Sequence, residues 1–346
     1  MHMSRFFCWC SAILLGASLL SGCATPRPVE EQPLTREQLH AFFQQAQDPR
    51  QFWLTVYGSD AGPVVSGGNR LHANRFATAP FVSSRQSTLP LINIRSRHPV
   101  EYTAMLDTSS RASWVDFETA HAIGAIPLGT PPFPMQAEHV NDTNFGFLSA
   151  VSRLRIEDLH IDTALLYIRA VNGPLGALIR NYPSDSGATG RTRAANNIDA
   201  SLVLGCDFIK AFAFVQIDYP NRDIIFSTTT SYHPSDKMLV ATLPLHEKDG
   251  IFAFRGTIDG EPEIFLLDSV GDYEIAMAYP PGSHARRVSL GDLSFSNAAI
   301  TPIKDLHLGL PQYPRIGRKL LSRYRITIDR SNRVVHFERP DSSEGG

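Results

Sequence analysis

From Leu89 onward, short apolar runs rich in β-branched and aromatic residues alternate with turns bearing Gly, Pro, Asn and Asp, a rhythm that predicts strands. Before that point the pattern differs. Thr35 as a candidate N-cap, with Glu37 close behind and "EQLHAFFQQAQ" following, predicts a short helix. Residues 60–80 are rich in Gly, Ser and Asn and read as an irregular surface segment. The expected fold class is mainly β with a short N-terminal helix.

The strand-rich part repeats itself. "STLPLINIRSRHPVEYTAMLDTSS" corresponds to "ATLPLHEKDGIFAFRGTIDGEPEIFLLDSVG": each begins Leu-Pro-Leu and ends with an apolar strand delivering an Asp and a hydroxyl residue. Further on, "LVLGCDFIKAFAFVQIDYPNRDIIF" matches "PRIGRKLLSRYRITIDRSNRVVHF" in order and rhythm. Two copies of one β unit are therefore expected. Asp218 and Asp329 correspond to each other within these copies and mark turns between paired strands.

The chemistry-bearing positions are Asp107 and Asp268, each at the end of its apolar strand and followed by Thr108 or Ser269. Two carboxylates brought together cannot both ionise cheaply, so they share a proton and titrate as a pair. Such a dyad needs neither a metal nor a cofactor, because one carboxylate draws a proton from water while the other protonates a carbonyl.

This tandem layout resembles the aspartic peptidase superfamily, the retropepsin and pepsin-like proteins, over 89–340. Met105-Leu106-Asp107-Thr108 and Leu266-Leu267-Asp268-Ser269 fit the family's catalytic loops. Val203-Leu204-Gly205 fits the segment that packs behind such a loop, and Arg315-Ile316-Gly317 fits it in part, with Arg at an apolar position. The resemblance implies two pepsin-like β-barrel lobes around a central cleft. It also implies Asp107 and Asp268 as catalytic residues, with Thr108, Ser269, Gly205 and Gly317 supporting them and the two hydroxyls bonding across the lobe interface. A flap over the cleft within 127–151, tipped by "HVNDTN", or a plain surface hairpin over Ala137 to Phe147, is expected, and the counterpart in the second lobe is much shorter.

Two departures stand out. The Gly that family loops carry after the hydroxyl residue is replaced by Ser109 and Val270. A β-branched Val is poorly suited to positive φ, and Gly271 follows one place late, which suggests a shifted turn.

The N-terminus adds a location. "MHMSRFFCWCSAILLGASLLSGC" has a basic start, an apolar middle of signal-peptide length and small residues before Cys23. "LLSGC" resembles the bacterial lipobox, which implies lipid attachment (diacylglycerol and palmitate) at Cys23, and Ala24 implies sorting to the outer membrane facing the periplasm. Once 1–22 are removed, Cys206 is the one thiol left in the mature body besides Cys23, so no internal disulfide is expected. "VLGCDFI" reads as a buried segment in which that cysteine is a small hydrophobe.

A formal net charge of −2 with no basic stripe gives no sign of a nucleic-acid partner. The histidines show no metal-ligand spacing. No Gly-x-Ser-x-Gly elbow appears, and the Arg-bearing insertion 181–197 lacks the lysine of a phosphate loop. The expected organisation is a lipoprotein signal (1–22), a tether with a helical and irregular segment (23–88), two lobes (89–235 and 236–340) and a tail (341–346). The expected function is that of an envelope aspartic endopeptidase, a monomer acting on peptide or protein substrates. A catalytically silent peptide-binding or assembly lipoprotein of the same fold is the alternative, and a β-rich envelope protein unrelated to peptidases is the third.

Overall fold

The computed structural model describes residues 32–59, 62–72, 75–83, 87–97, 100–130, 133–134, 136–137, 146–169, 171–172, 200–229, 232–303 and 310–339. The signal segment, Cys23, the expected flap tip, the insertion 181–197 and the tail lie outside the described residues.

The chain is mainly β, with two β-barrel lobes. The first lobe is built from β1 (Leu91–Arg95), β2 (Glu101–Leu106), β3 (Trp114–Val115), β4 (Gly146–Ile156), β5 (Leu159–Arg169) and β6 (Leu202–Leu204). They close in the order β4-β1-β2-β6-β3-β5 and back to β4. The second lobe uses β7 (Ile251–Ile258), β8 (Glu261–Leu267), β9 (Ile275–Met277), β10 (His284–Leu290), β11 (Leu293–Pro302) and β12 (Arg315–Ile316). Their order is β10-β7-β8-β12-β9-β11 and back to β10.

Pairing sense repeats at every step. β2 and β6 run parallel, as do β8 and β12. β6 and β3 run antiparallel, as do β12 and β9. β3 and β5 are again parallel, matched by β9 and β11. The sequence repeat is thus a repeat of topology. Among the described residues, closure gives every barrel strand a partner on both sides.

A six-stranded antiparallel sheet joins the lobes, in the order Leu239–Pro244, Val334–Glu338, Arg325–Asp329, Phe214–Asp218, Asp223–Ser227 and Phe76–Pro80. It is symmetric about its central pair, where Gln216 faces Thr327 and donates to its hydroxyl at 2.7 Å. The two hairpin turns are alike as well. Asn221 caps Asp218 through its backbone N–H and its side-chain amide at 3.0 Å, and Asn332 does the same to Asp329 at 2.9 Å. Each turn closes through a left-handed Arg, Arg222 (φ 59°) or Arg333 (φ 55°). These two aspartates are the turn residues that the sequence pattern predicts.

The early segment is more ordered than its composition implies. Phe76–Pro80 forms an edge strand of the joining sheet, and Gly62–Ser66 pairs with Thr55–Ser59. The buried face of the edge strand is only Ala77 and Ala79, too weak an apolar alternation to stand out in sequence. The helix Arg36–Phe43 forms as expected, and a capping box closes between Thr35 and Gln38, the third helical position. Phe42 anchors it edge-on against Phe117 of the first lobe, at 5.4 Å between ring centroids.

Candidate active site

Each lobe presents its aspartate where a barrel strand ends. Asp107 follows β2 and Asp268 follows β8, and the neighbouring parallel strand fixes each backbone: Asp107 N–H donates to Leu204 at 2.9 Å and Asp268 N–H to Ile316 at 3.0 Å. Gly205 and Gly317 then start short helices, Cys206–Ile209 and Arg318–Leu321. Both glycines are required by close approach rather than by φ. A Cβ at Gly205 would lie 2.4 Å from the carbonyl oxygen of Ala112, and one at Gly317 would lie 2.3 Å from that of Tyr273.

The two loops meet. Thr108 N–H donates to Ser269 Oγ at 3.0 Å and Ser269 N–H donates to Thr108 Oγ1 at 2.9 Å. The hydroxyls in turn donate outward, Thr108 to the Leu267 carbonyl at 2.9 Å and Ser269 to the Leu106 carbonyl at 2.8 Å. All four bonds are buried, so breaking one leaves a desolvated polar group. Tyr219 braces the second loop from the joining sheet, its hydroxyl donating to the Ser269 carbonyl at 2.9 Å. Cys206 contributes its thiol to the Thr108 carbonyl at 3.1 Å, and burial pushes that thiol far up, which removes it as a nucleophile.

Ser109 and Val270 do not obstruct this meeting. Neither occupies positive φ, and the same holds for Gly271, so no left-handed turn is made at these positions. The turn is made instead by backbone amides folding onto the carboxylate. Ser109 N–H reaches Asp107 Oδ1 at 2.8 Å, and Val270 and Gly271 N–H reach Asp268 Oδ1 at 3.2 and 2.7 Å.

The loops differ in where their side-chain hydroxyl comes from. Ser109 supplies its own Oγ to Asp107 Oδ1 at 2.7 Å. Val270 has none to supply, and the hydroxyl of Tyr273 donates to Asp268 Oδ2 in a short bond. The ring reaches that position because Gly271 and Gly317 have no side chains: a Cβ at either would lie 2.5 Å from a ring carbon.

Asp107 is 6% exposed and Asp268 0%, so both carboxylates sit almost out of water. Burial raises the Asp107 pKa to about 6, and the negative charge of Asp268 adds to the rise. The Ser109 hydrogen bonds and the guanidinium of Arg315 oppose it. Arg315 is fully buried on β12, between Leu266 and Ala276. Its counterpart in the first lobe is Val203, between Met105 and Trp114. In sequence this arginine reads only as a blemish in an apolar-apolar-Gly segment, and its action on Asp107 becomes visible only with burial. Tyr273 carries no periodic signal at all, since its reach depends on space left by Gly271 and by the distant Gly317.

Within the stretch expected to carry a flap, Gln136 pairs with Phe147 and Ala137 with Gly146, and the residues between them lie outside the described residues. Gly146 lies flat against Trp114, where a Cβ would sit 2.6 Å from the indole, so this strand pair starts beside β3. The equivalent connection in the second lobe is the short stretch 278–283. A cavity of about 500 Å³ opens behind the first loop, lined by Gly67, Asn69, Arg111, Tyr167, Asp207 and Lys210 among others. Neither Asp107 nor Asp268 lines it.

No family model matches the chain, and no curated protein does. Among solved structures the chain is similar to basic 7S globulin from soybean, with 11% identity and a TM-score of 0.47, over 79% of this chain and 97% of that one.

Proposed function

We propose that the protein is an aspartic-type endopeptidase of pepsin-like fold in which Asp107 and Asp268 activate a water against a peptide carbonyl. The observation that carries this reading is the reciprocal bonding of Thr108 and Ser269, which joins the two aspartate loops of a duplicated lobe into one site. Two buried carboxylates in mutual electrostatic contact favour one shared proton over two charges. One carboxylate then takes a proton from the attacking water while the other protonates the carbonyl oxygen. The tetrahedral diol collapses as its nitrogen is protonated, releasing a new carboxyl and a new amine, and no side chain becomes covalently bound. A cleft between the two lobes would take an extended peptide.

The envelope placement belongs to the same proposal. Lipid on Cys23 would tether the lobes to the outer membrane on its periplasmic side through the segment 24–31. Metabolic labelling with palmitate, lost in Cys23→Ser, tests it.

A second reading, a silent peptide-binding lipoprotein, is favoured by one observation. The buried cation of Arg315 beside Asp107 works against the shared proton. Cleavage of an unfolded protein substrate between pH 3 and pH 7, with and without a statine-type transition-state analogue, separates the two. Cleavage abolished by the analogue supports the peptidase; no cleavage at any pH supports the silent protein.

A further inference from the structure

Two peptide units aim hydrogen bonds at the aspartates, and each is held at its other end by a buried side chain. In the first loop the Thr108–Ser109 peptide directs its N–H to Asp107 Oδ1 at 2.8 Å, and its carbonyl accepts the Cys206 thiol at 3.1 Å. In the second loop the Ser269–Val270 peptide directs its N–H to Asp268 Oδ1 at 3.2 Å, and its carbonyl accepts the Tyr219 hydroxyl at 2.9 Å. The N–H and C=O of a trans peptide lie in one plane and point in opposite directions. A donor anchored on the carbonyl therefore sets the direction of the amide hydrogen. It also polarises the peptide, which strengthens the bond that the amide gives.

We infer that Cys206 and Tyr219 are positioning residues of the dyad, each orienting the peptide whose N–H holds one catalytic aspartate. The word catalytic rests on the peptidase reading, whereas the aiming of the two amides rests on the bonds themselves.

Both donors are built to stay in place. Cys206 is 0% exposed and Tyr219 3%. Burial pushes the thiol and the phenol far up, so each keeps its hydrogen at acidic and neutral pH. A donor that does not titrate suits a pair of carboxylates whose own proton must move. Cys206 is fixed against the same loop by its backbone, whose N–H donates to the Ser110 carbonyl at 2.8 Å. Tyr219 meets Phe81 edge-on at 6.1 Å between ring centroids, and it follows Asp218, which Asn221 caps and Arg325 pairs with at 2.5 Å.

The two donors come from the first repeat alone. Arg318 stands in the second repeat where Cys206 does in the first, and it donates to Asp272 at 2.7 Å. Arg330 stands where Tyr219 does, and it is exposed. Cys206 thus serves the loop of its own lobe, and Tyr219 reaches from the joining sheet to the loop of the other.

Amide NMR of the deuterated full chain, labelled with heavy nitrogen at serine and valine, tests this. Tyr219→Phe, which keeps the ring, should move the Val270 amide proton upfield and leave Ser109 in place. Cys206→Ala should move the Ser109 amide and leave Val270, and Cys206→Ser, which keeps a donor, should return most of that shift. An unmoved target amide in Tyr219→Phe or Cys206→Ala, or both amides moving alike in both variants, overturns the inference. In the parent, the Tyr219 hydroxyl proton should exchange slowly enough to be observed. A freely exchanging hydroxyl overturns the inference without any variant. In peptide cleavage, Tyr219→Phe and Cys206→Ala should each lose about tenfold in kcat with KM nearly unchanged, the size of one hydrogen bond felt in the transition state. A raised KM at the parental kcat would show a binding role and overturn it as well. Amide shifts as stated in a protein without cleavage would support the positioning role and refute the peptidase reading.

Discussion

Thr108 and Ser269, 161 residues apart, each donate a backbone N–H to the other's hydroxyl oxygen in the protein interior. Each hydroxyl then donates to the strand that delivers the opposite aspartate. One pair of side chains thereby ties the two aspartate loops together across the lobe interface.

Removing either hydroxyl should loosen this junction. Ser269→Ala deletes a donor to Leu106 and an acceptor for Thr108, and should cost about 2 kcal/mol of stability, as unpaired buried groups do. Ser269→Thr should retain most of it. Urea unfolding of the three proteins checks the order.

The raised pKa of Asp107 has a consequence for stability. As pH rises from the ordinary Asp value to about 6, the unfolded chain releases this proton while the folded chain keeps it. The folded state therefore binds more protons, and stability falls with rising pH across that window. Below it both states are protonated, and above it the penalty is constant. The loss should be on the order of 3 kcal/mol. Asp107→Asn should flatten it in thermal melts between about pH 4 and pH 6.5, leaving the similarly directed contribution of Asp207 in place.

Arg315 acts against burial at Asp107, so Arg315→Val, which copies Val203 of the first lobe, should raise the Asp107 titration further. Peptide cleavage should then extend to higher pH, because Asp107 keeps its proton longer. An unchanged basic limb in the pH profile would show that the guanidinium does not bear on the dyad.

Gly317 tolerates no side chain. Gly317→Ala would drive a methyl group into the Tyr273 carbonyl and ring, and backbone cannot yield as a flexible side chain can. A loss of about 3 kcal/mol is expected, with dyad titrations disturbed in the protein that remains folded. Denaturation midpoints and carboxyl NMR check both parts.

The duplicated lobes were legible in the sequence because the repeat preserves what the barrel needs: an apolar strand into Asp, a hydroxyl beside it, and a glycine where backbone meets backbone. Asp218 and Asp329 were legible as turns for the same reason, each having an Asn three residues on. What escaped notice depended on space rather than pattern. Val270 reads as an obstacle only where the turn is left-handed, and the loop turns by amide-to-carboxylate bonds instead. Arg315 looked like a defect, since a string of letters does not record which charge a buried guanidinium faces. The edge strand Phe76–Pro80 was hidden by its alanines, which bury without announcing it.

The central claim is that Asp107 and Asp268 together hydrolyse peptide bonds. It is tested most directly by comparing cleavage of an unfolded protein at about pH 5 by the parent chain, Asp107→Asn and Asp268→Asn, all shown to be folded. Loss of about 10³-fold or more in each variant is predicted, since each removes one half of an acid–base pair. Cleavage by either variant at the parent rate would contradict the account.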